Sequence, residues 1–362
     1  MDSGQHGPRG IIALLPFLVK GALSLAVLRA MRERGLDITL ACHAPEAVGY
    51  TRDPAADFEA ENRLLDLSGK GTEPYLATLG QIIEERQVGL ILQIGAPGAY
   101  RHLPYIKHFH AGLRVVDTLY NEIGHTVDHF LYETCLDGVI VESEHMRRFV
   151  AERSVKINPN IVLVKSGVDL AYHAPRPARS PREGLVLGYI GRMSPEKNPL
   201  GFVTIAEQLA PDHPGVSFLM YGEGGMSDQV NARIKASGLG SRLRFEGYVQ
   251  DLRDALALID ALVVPSLTDG RPNIIMEANA FGRPVVAAPV GGIPELIEEG
   301  RNGYLVTPND FARLSAILRC WEADPTALAA LSSSSHEIAM ARFDRCRMLT
   351  DYETAFRGFL SR

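Results

Sequence analysis

The segment from residue 266 to residue 278 holds the strongest candidate chemistry of this 362-residue chain, because two acids there flank a glycine and a proline. Asp269 precedes Glu277 by eight positions. Proline is favoured in the first turn of a helix, so Pro272 predicts a helix over residues 274–281. The free amides at the start of a helix attract anions and hydroxyl groups. The segment therefore predicts a binding site for a polar or anionic ligand.

Glu277 lies one turn into this predicted helix, on a face that is largely apolar. A carboxylate in apolar surroundings is costly unless it forms specific hydrogen bonds, and the hydroxyl groups of a sugar would supply them. Asp269 has a simpler alternative, since an acid near a helix N-terminus stabilises the helix dipole. That alternative suits Asp269 much better than Glu277.

A second candidate is the loop of residues 191–198, which opens with Gly191 and carries Arg192 and Lys197. On a strand-to-helix loop, both cations can reach a phosphate near the N-terminus of the next helix. Arg192 suits bidentate contacts to phosphate, and Lys197 adds a compact charge. The alternative is two solvated cations on the surface of a loop.

Two glycine-rich loops also follow predicted strands. One begins at Gly222 and reads Gly-Glu-Gly-Gly, and the other contains Gly291 and Gly292. Glycine lets a backbone approach a ligand closely or adopt a positive φ. Neither loop matches the GxGxxG dinucleotide pattern or a P-loop. Both are consistent with phosphate or sugar contacts, and a tight turn without a ligand is the alternative.

The elements that position these loops alternate between apolar runs and amphipathic stretches, as in parallel sheets covered by helices. In the first half, the predicted strands are residues 11–19, 38–41, 89–94, 113–118, 139–142 and 161–164, with helices over 22–34 and 75–86 and a loop over 46–61. In the second half, the predicted strands are residues 185–190, 216–221, 243–245, 261–265 and 284–288, with helices over 199–209, 227–236, 252–259 and 274–281. This alternation predicts an α/β protein.

Residues 174–182 separate the two series with three prolines and three arginines, which cannot continue a helix or a central strand. We therefore predict two Rossmann-like, doubly wound domains that face a central cleft. Ligands of such sheets bind at the carboxyl ends of the strands, where the candidate loops lie. The predicted bounds are residues 1–172 for the first domain, 173–183 for the linker, 184–345 for the second domain and 346–362 for a C-terminal helix.

Composition restricts the partners of the chain. Its net charge is −6 at pH 7, so no wide basic face is available for nucleic acid. No uninterrupted apolar run reaches the length of a membrane span, and residues 11–19 lack the basic flank of a signal peptide. These features predict a cytoplasmic protein. Basic helices of the first domain leave a peripheral contact with an anionic membrane open.

Together, the loops resemble the retaining glycosyltransferases of family 4, which have the GT-B fold. The resemblance covers about residues 185–310, with the motifs Gly191-Arg192 and Lys197, Tyr221-Gly222-Glu223-Gly224, Phe245-Glu246-Gly247-Tyr248-Val249, Asp269 to Glu277 followed by Gly282-Arg283-Pro284-Val285-Val286, Gly291-Gly292-Ile293-Pro294-Glu295-Leu296-Ile297 and Gly300-Arg301-Asn302-Gly303-Tyr304-Leu305-Val306. Ser166-Gly167-Val168-Asp169 is similar to the motif that ends the family's N-terminal domain. The resemblance implies transfer of a sugar from a nucleoside-diphosphate sugar to a hydroxyl group of a glycan, a lipid-linked molecule or a small molecule. It also implies that the C-terminal helix of residues 346–362 crosses back to the first domain, and the alternative is a helix that packs on its own domain.

The resemblance also implies a role for each candidate residue. Arg192 and Lys197 would hold the donor diphosphate without a metal ion or other cofactor, which fits the absence of an Asp-x-Asp motif. Glu277 would bond the ribose hydroxyls, and Asp269 would hold hydroxyls of the donor sugar. Tyr248 and Val249 would line the base pocket. The other implied substrate contacts are Gly191, Gly222, Gly270, Arg271, Pro272, Asn273, Ile274, Gly291 and Gly292.

In the first domain, the resemblance implies two further residues. Gly21 follows the first strand at a turn where the family usually has two glycines, and its amide would approach the donor phosphate or the acceptor. Family members often carry a histidine near the reacting anomeric carbon, and we predict that His125 has this catalytic place because Gly124 frees its loop. Asn121 is the competing residue.

One departure from the family concerns Asp269, where the family pattern has glutamate, so the family's donor preference does not carry over. Two other functions remain open. One is an enzyme of another class on the same fold, such as a sugar-nucleotide epimerase or a phosphorylase. The other is a non-catalytic nucleotide-sugar-binding protein. Retention through a covalent intermediate, or through same-face attack with the leaving diphosphate as base, is equally undecided by the sequence.

Overall fold

The structure is a computed structural model that describes residues 10–18, 25–45, 52–156, 159–174 and 184–361. The chain divides into two compact units: the first comprises Met1–Lys165 with Cys346–Arg362, and the second comprises Ser166–Arg345. Residues 166–172, predicted to end the first domain, therefore lie in the second unit. The reason is a backbone contact within that unit, since the Val168 amide donates a hydrogen bond to the Phe343 carbonyl at 2.8 Å.

The first unit contains a parallel sheet. Its strands are β1 (Gly10–Leu15), β2 (Asp37–Cys42), β3 (Leu64–Asp66), β4 (Val88–Gln93), β5 (Arg114–Leu119), β6 (Gly138–Val141) and β7 (Ile161–Leu163). They lie in the order β3-β2-β1-β4-β5-β6-β7, which is a doubly wound arrangement. Both faces of β1 are buried, since Ile11 and Ala13 belong to one hydrophobic cluster and Ile12 and Leu14 to another.

Helices connect these strands. They are α1 (Leu25–Glu33), α2 (Ala56–Ala60), α3 (Thr72–Glu85), α4 (Pro97–Tyr100), α5 (Leu103–Phe109), α6 (Thr126–Leu131) and α7 (Glu144–Arg153). The prediction of a loop over residues 46–61 is wrong for residues 53–60, which form a helical turn and α2. Phe58 of α2 is fully buried, and Asp57 forms an ion pair with Arg29 at 2.7 Å. Residues 46–51 lie outside the described part of the chain.

The second unit has the same strand order in its own parallel sheet. Its strands are β8 (Leu185–Ile190), β9 (Val216–Tyr221), β10 (Leu243–Phe245), β11 (Ala261–Val264), β12 (Val285–Ala287) and β13 (Gly303–Leu305), in the order β10-β9-β8-β11-β12-β13. Its helices are α8 (Pro199–Leu209), α9 (Ser227–Ala236), α10 (Leu252–Leu258), α11 (Asn273–Ala280), α12 (Phe311–Ala323) and α13 (Pro325–Arg342). In the described residues of both units, no helix is long and apolar enough to cross a membrane.

The last helix, α14 (Arg345–Leu360), packs on the first unit. Tyr352 and Phe356 are fully buried in the hydrophobic cluster that contains β1 and β2. A side chain at Gly138 would come within 2.6 Å of the Phe359 ring, so the glycine leaves room for this helix. An ion pair of 3.0 Å between Arg34 and Glu353 adds a polar contact. Aromatic packing thus makes α14 part of the first unit's core.

Candidate functional site

Three loops of the second unit meet at the carboxyl edge of its sheet, because β8, β11 and β12 are neighbours there. Their backbones are hydrogen-bonded to one another. The Leu267 amide donates to the Glu196 carbonyl at 2.9 Å, and the Gly292 amide donates to the Gly270 carbonyl at 2.9 Å. The Asn198 side-chain amide donates to the Pro265 carbonyl at 3.0 Å. The candidate motifs after these strands therefore form one surface.

Lys197 and Asp269 are in direct contact on this surface. The Lys197 Nζ lies 2.6 Å from the Asp269 Oδ2, and the two side chains are 22% and 8% exposed. Ser266 Oγ donates to the same carboxylate oxygen at 3.2 Å. A largely buried ion pair needs such extra hydrogen bonds to offset the loss of hydration. The structure thus brings together one predicted cation and one predicted acid from separate loops.

A cavity of about 210 Å³ opens beside this ion pair. Its lining includes six of the predicted substrate contacts: Gly191, Lys197, Asp269, Pro272, Asn273 and Ile274. Pockets for whole small-molecule ligands usually measure about 300–1,000 Å³. The cavity therefore matches one portion of a larger ligand, with a cation and an acid at its rim.

Arg192 lies apart from the Lys197–Asp269 pair. Its side chain is 73% exposed and its guanidinium lies 3.1 Å from the Glu196 Oε1 on the same loop. Tyr189 holds the loop by donating its hydroxyl to the Arg192 carbonyl at 2.8 Å. Within the described ranges, no group of three or more His, Cys, Asp or Glu side chains is placed to hold a metal ion. The metal independence implied by the resemblance stays a prediction.

The glycines of these loops are required by contacts between the loops. Gly222 has φ +139°, and a Cβ there would lie 1.8 Å from the Gly191 carbonyl oxygen. Gly291 has φ +54°, and its Cβ would lie 1.8 Å from the Asp269 carbonyl oxygen. Any larger residue would push the loops apart. Backbone contacts from these positions to a ligand stay predictions.

Helix α11 carries Glu277 one turn from its start. The helix begins at Asn273, and Pro272 is its N-cap residue with φ −65° and ψ 124°. The prediction that Pro272 lies inside the first turn is therefore wrong by one position, since its backbone is extended. Glu277 is 22% exposed, and no hydrogen bond reaches its carboxylate from the described residues. Burial raises the pKa of Glu277 to about 7.

His173 is a neighbour of Glu277 that the sequence interpretation missed. Its Nε2 lies 3.7 Å from the Glu277 Oε1. The His173 amide donates to the Asp169 carbonyl at 3.0 Å, so a helical turn after Asp169 carries the imidazole inward. The only signal in the sequence was a histidine four residues after the aspartate of a recognised motif.

Two other predicted contacts differ in accessibility. The Tyr248 ring is exposed, whereas Val249 packs against a hydrophobic cluster of the second unit. Arg271 points inward: its side chain is 2% exposed and lies 4.0 Å from the Glu295 carboxylate, with the Phe343 ring 5.9 Å away. Because the guanidinium is enclosed by protein, the predicted substrate contact at Arg271 is limited to its backbone.

In the first unit, His125 occupies the N-cap position of α6. Its Nε2 lies 2.8 Å from the Thr118 carbonyl, so this nitrogen is the donor and Nδ1 is left as an acceptor. The ring lies over Gly95, where a Cβ would be 3.3 Å away. Asn121 accepts a hydrogen bond from the Ile123 amide at 3.1 Å. Gly21 lies outside the described residues.

Part of the second unit matches the model of a known protein family. Residues 184–322 match the family described as glycosyl transferases group 1. The glycogen synthase of Mycobacterium tuberculosis is 30% identical over 224 residues, 61% of this chain and 53% of that protein. The D-inositol 3-phosphate glycosyltransferase of Mycolicibacterium vanbaalenii is 30% identical over 256 residues, 62% of this chain and 56% of that protein. The chain thus spans about half the length of these curated relatives.

A solved structure covers both units. The Anabaena protein Alr3699/HepE, solved in complex with UDP, has a TM-score of 0.75 and 21% identity, covering 96% of this chain and 99% of that chain. At this identity, the likeness shows the fold alone. The predicted α/β architecture of two doubly wound GT-B domains is confirmed.

Proposed function

We propose that the chain is a retaining, metal-independent glycosyltransferase, a proposal supported by the match of residues 184–322 to the family described as glycosyl transferases group 1. It moves a sugar from a nucleoside-diphosphate sugar to an acceptor hydroxyl group. The observation that carries this proposal is the Lys197–Asp269 contact of 2.6 Å at the rim of a cavity on the carboxyl edge of the second sheet. A diphosphate requires a cation, here Lys197, and the hydroxyl groups of a sugar require an acceptor, here Asp269.

The donor would lie along the edge of the second sheet. Lys197 exchanges its contact with Asp269 for the diphosphate, and Asp269 then accepts hydroxyls of the sugar. The exposed guanidinium of Arg192 turns from Glu196 to the same diphosphate. Glu277 accepts the ribose hydroxyls, and the exposed Tyr248 ring covers the base. The UDP bound to the Anabaena protein supports a nucleoside diphosphate as the shared part of the ligand.

The reaction we propose is same-face substitution at the anomeric carbon. The bond from this carbon to the diphosphate oxygen breaks, the acceptor oxygen forms the new bond, and the acceptor proton passes to the departing diphosphate. Lys197 and Arg192 stabilise the charge that develops on the leaving group, which is electrostatic catalysis by preorganised groups. Asp269 accepts a hydrogen bond from Ser266 and, in the proposed donor complex, hydroxyls of the sugar. It is therefore not a free nucleophile, and this favours substitution without a covalent intermediate.

The acceptor remains a class rather than a compound. We propose that the first unit binds it through loops at the carboxyl edge of its sheet, where His125 offers Nδ1 as an acceptor for a hydroxyl proton. Glycans, lipid-linked molecules and small molecules that carry a free hydroxyl group all fit this chemistry. We further propose a cytoplasmic location, with no nucleic-acid partner.

A donor screen followed by product analysis tests the function. Nucleoside diphosphates and their sugars should raise the melting temperature, because a ligand that binds only the folded state stabilises it. Transfer to an acceptor should retain the anomeric configuration, as read by NMR, and should survive a metal chelator. Inversion or chelator sensitivity would contradict the mechanism. Stabilisation without transfer would indicate a non-catalytic nucleotide-sugar-binding protein, and epimerised donor would indicate an epimerase.

A further inference from the structure

His173 and Glu277 form an isolated polar pair in the interior of the second unit. His173 is 6% exposed, and its Nε2 lies 3.7 Å from the Glu277 Oε1. Among the described residues, the His173 Nδ1 is buried without a hydrogen-bond partner, and nothing donates to the Glu277 carboxylate. Buried polar groups normally have partners. This pair therefore leaves hydrogen-bonding capacity for something outside the chain.

The groups around His173 come from its own turn and from the start of α10. The Tyr172 ring meets the imidazole edge-on at 4.9 Å, and its hydroxyl donates to Asp251 at 3.1 Å. Arg253 lies 3.8 Å above the Tyr172 ring and pairs with Asp251 at 2.6 Å. Burial is the largest effect and lowers the pKa of His173; Asp169 and Asp251 oppose this effect, and Arg253 adds to it. His173 is therefore predominantly neutral at pH 7.

A neutral imidazole can serve either form of Glu277. It has one donor nitrogen and one acceptor nitrogen. It accepts the proton of a neutral carboxyl group, or it donates to a carboxylate. The gap of 3.7 Å exceeds a hydrogen bond by a few tenths of an ångström, so a small side-chain rotation closes it. His173 can thus hold the carboxyl group in place while its second oxygen stays available.

We propose that His173 is a positioning residue that holds Glu277 for the hydroxyls of a ribose, and that this pair makes nucleotide binding stronger as pH rises. The inference rests on the proposed function, in which Glu277 receives the ribose. A carboxylate accepts two hydroxyl hydrogen bonds, whereas a neutral carboxyl group offers less acceptor capacity and one competing proton.

The sign of the pH dependence follows from the burial of Glu277. Its pKa is raised to about 7 by burial, and no charged neighbour is among the causes. Below this pH the carboxyl group is neutral, and above it the carboxylate is ready to accept hydroxyls. For one proton with this pKa, affinity should rise about tenfold between pH 6 and pH 8 and then level off.

The experiment compares UDP with 2′-deoxy-UDP by calorimetry from pH 5.5 to 8.5. Both nucleotides carry the same diphosphate, so its own ionisation cancels in the ratio of their affinities. In the wild-type protein, the preference for UDP should grow about tenfold between pH 6 and pH 8. E277Q should remove this growth. GDP and ADP with their 2′-deoxy forms replace the uridine pair if they stabilise the protein better.

Two variants of His173 separate positioning from packing. H173F keeps a buried ring but cannot hydrogen-bond, so the UDP affinity at pH 8 should fall about tenfold and the midpoint of the pH profile should move upward. H173Q restores a donor and an acceptor and should regain most of the affinity. If H173F fails to fold by circular dichroism, H173N replaces it, because its shorter amide cannot reach Glu277.

Three results decide the matter. Wild-type affinity and midpoint in H173F, or in H173N if that variant takes its place, would overturn the positioning role. A constant UDP to 2′-deoxy-UDP ratio in the wild-type protein would overturn the pH dependence. If the wild-type protein binds none of these nucleoside diphosphates, the proposed function itself fails, which is distinct from a protein that binds UDP without responding to His173.

Discussion

The two units share a strand order but differ in the chemistry of their carboxyl edges. Both sheets run third, second, first, fourth, fifth, sixth strand, and the first unit adds a seventh. In the second unit, the loops after the strands carry the Lys197–Asp269 ion pair, and α11 carries Glu277, whose carboxylate accepts no hydrogen bond from the described residues. In the first unit, β5 carries Asp117, a buried acid that contacts Tyr100 and His129. The scaffold is repeated, and function is set by the loops.

Asp117 and Glu277 differ in whether neighbouring groups donate hydrogen bonds to the carboxylate. Asp117 is fully buried. It accepts hydrogen bonds from the Tyr100 hydroxyl at 2.7 Å, from the Thr118 amide at 2.8 Å and from the His129 Nδ1 at 2.8 Å. Glu277 accepts none from the described residues. A satisfied buried network stabilises the fold, whereas an unsatisfied acid is kept for a ligand.

The largest effect is expected for Lys197→Ala, which tests the diphosphate role of the second unit's site. Turnover should fall about 100- to 1,000-fold, because the charge on the leaving diphosphate loses its main stabilising cation. Initial rates under saturating donor measure the effect, with circular dichroism to confirm the fold. Lys235→Ala, which removes an exposed lysine of α9, is the matched control and should retain full turnover. Surviving turnover in Lys197→Ala would remove the diphosphate role from this residue.

A second test addresses the first unit through Asp117→Asn. This variant keeps the shape but removes the charge that His129 and Tyr100 share, so the free energy of unfolding should fall by about 3 kcal/mol. Urea unfolding measures the loss. Asp128→Asn, on the same helix as His129, should cost little. UDP affinity of the folded protein should be unchanged, and a large affinity loss would mean that this network serves binding as well.

The third test asks whether Glu277 costs stability. Its pKa is raised from 4.5 to about 7 in the folded protein, so its contribution to stability is present below pH 4.5 and is lost as pH rises to 7. Without ligand, Glu277→Gln should therefore be more stable than the wild-type protein by about 3 kcal/mol at pH 8, and by less than about 1 kcal/mol at pH 5. Urea unfolding at both pH values is the measurement. The control is Glu337→Gln, which changes an exposed acid of α13 and should show no such difference. Equal stability of Glu277→Gln and the wild-type protein at pH 8 would contradict the claim that the buried Glu277 carboxylate destabilises the folded protein.

The smallest expected effect decides between His125 and Asn121. The Asn121 carbonyl oxygen is engaged by the Ile123 amide, whereas His125 keeps Nδ1 as an acceptor. His125→Ala should therefore lower kcat/KM about tenfold, the loss of one ligand hydrogen bond, and Asn121→Ala should stay within about twofold of wild type. Initial rates at limiting donor give both values. The opposite order would transfer the role to Asn121.

Prediction from sequence succeeded better in the second unit than in the first. β8 and α8 have the predicted bounds, 185–190 and 199–209, because long apolar runs and clear caps mark them. In the first unit, the predicted strand over 11–19 ends at Leu15, and the helices α4 to α6 were not predicted. Short helices with a proline in the first turn, such as Leu103–Phe109, have too few turns to show a hydrophobic period in the sequence. Three-residue strands such as β3 and β13 are equally short of signal.

The candidate site was predictable as far as local spacing allows. Glycine, proline and acid positions identified the loops after β8, β11 and β12, and hence Lys197, Asp269 and Glu277. The inward direction of the Arg271 side chain could not be predicted, because the sequence motif is the same whether the arginine faces a ligand or Glu295. Nor could Arg192 be separated from Lys197, since only the packed loops set one on the surface and the other against Asp269.

From the sequence alone, we could predict two α/β units and the charged residues in the loops at the carboxyl edge of the second sheet. These follow from hydrophobic period and turn chemistry, which act over a few neighbouring residues. The packed structure was needed to show that Lys197 contacts Asp269, that the Arg271 guanidinium is enclosed by protein, and that His173 lies beside Glu277. Such pairs lie far apart in the chain, and their contact depends on how strands and helices pack, which no local pattern encodes.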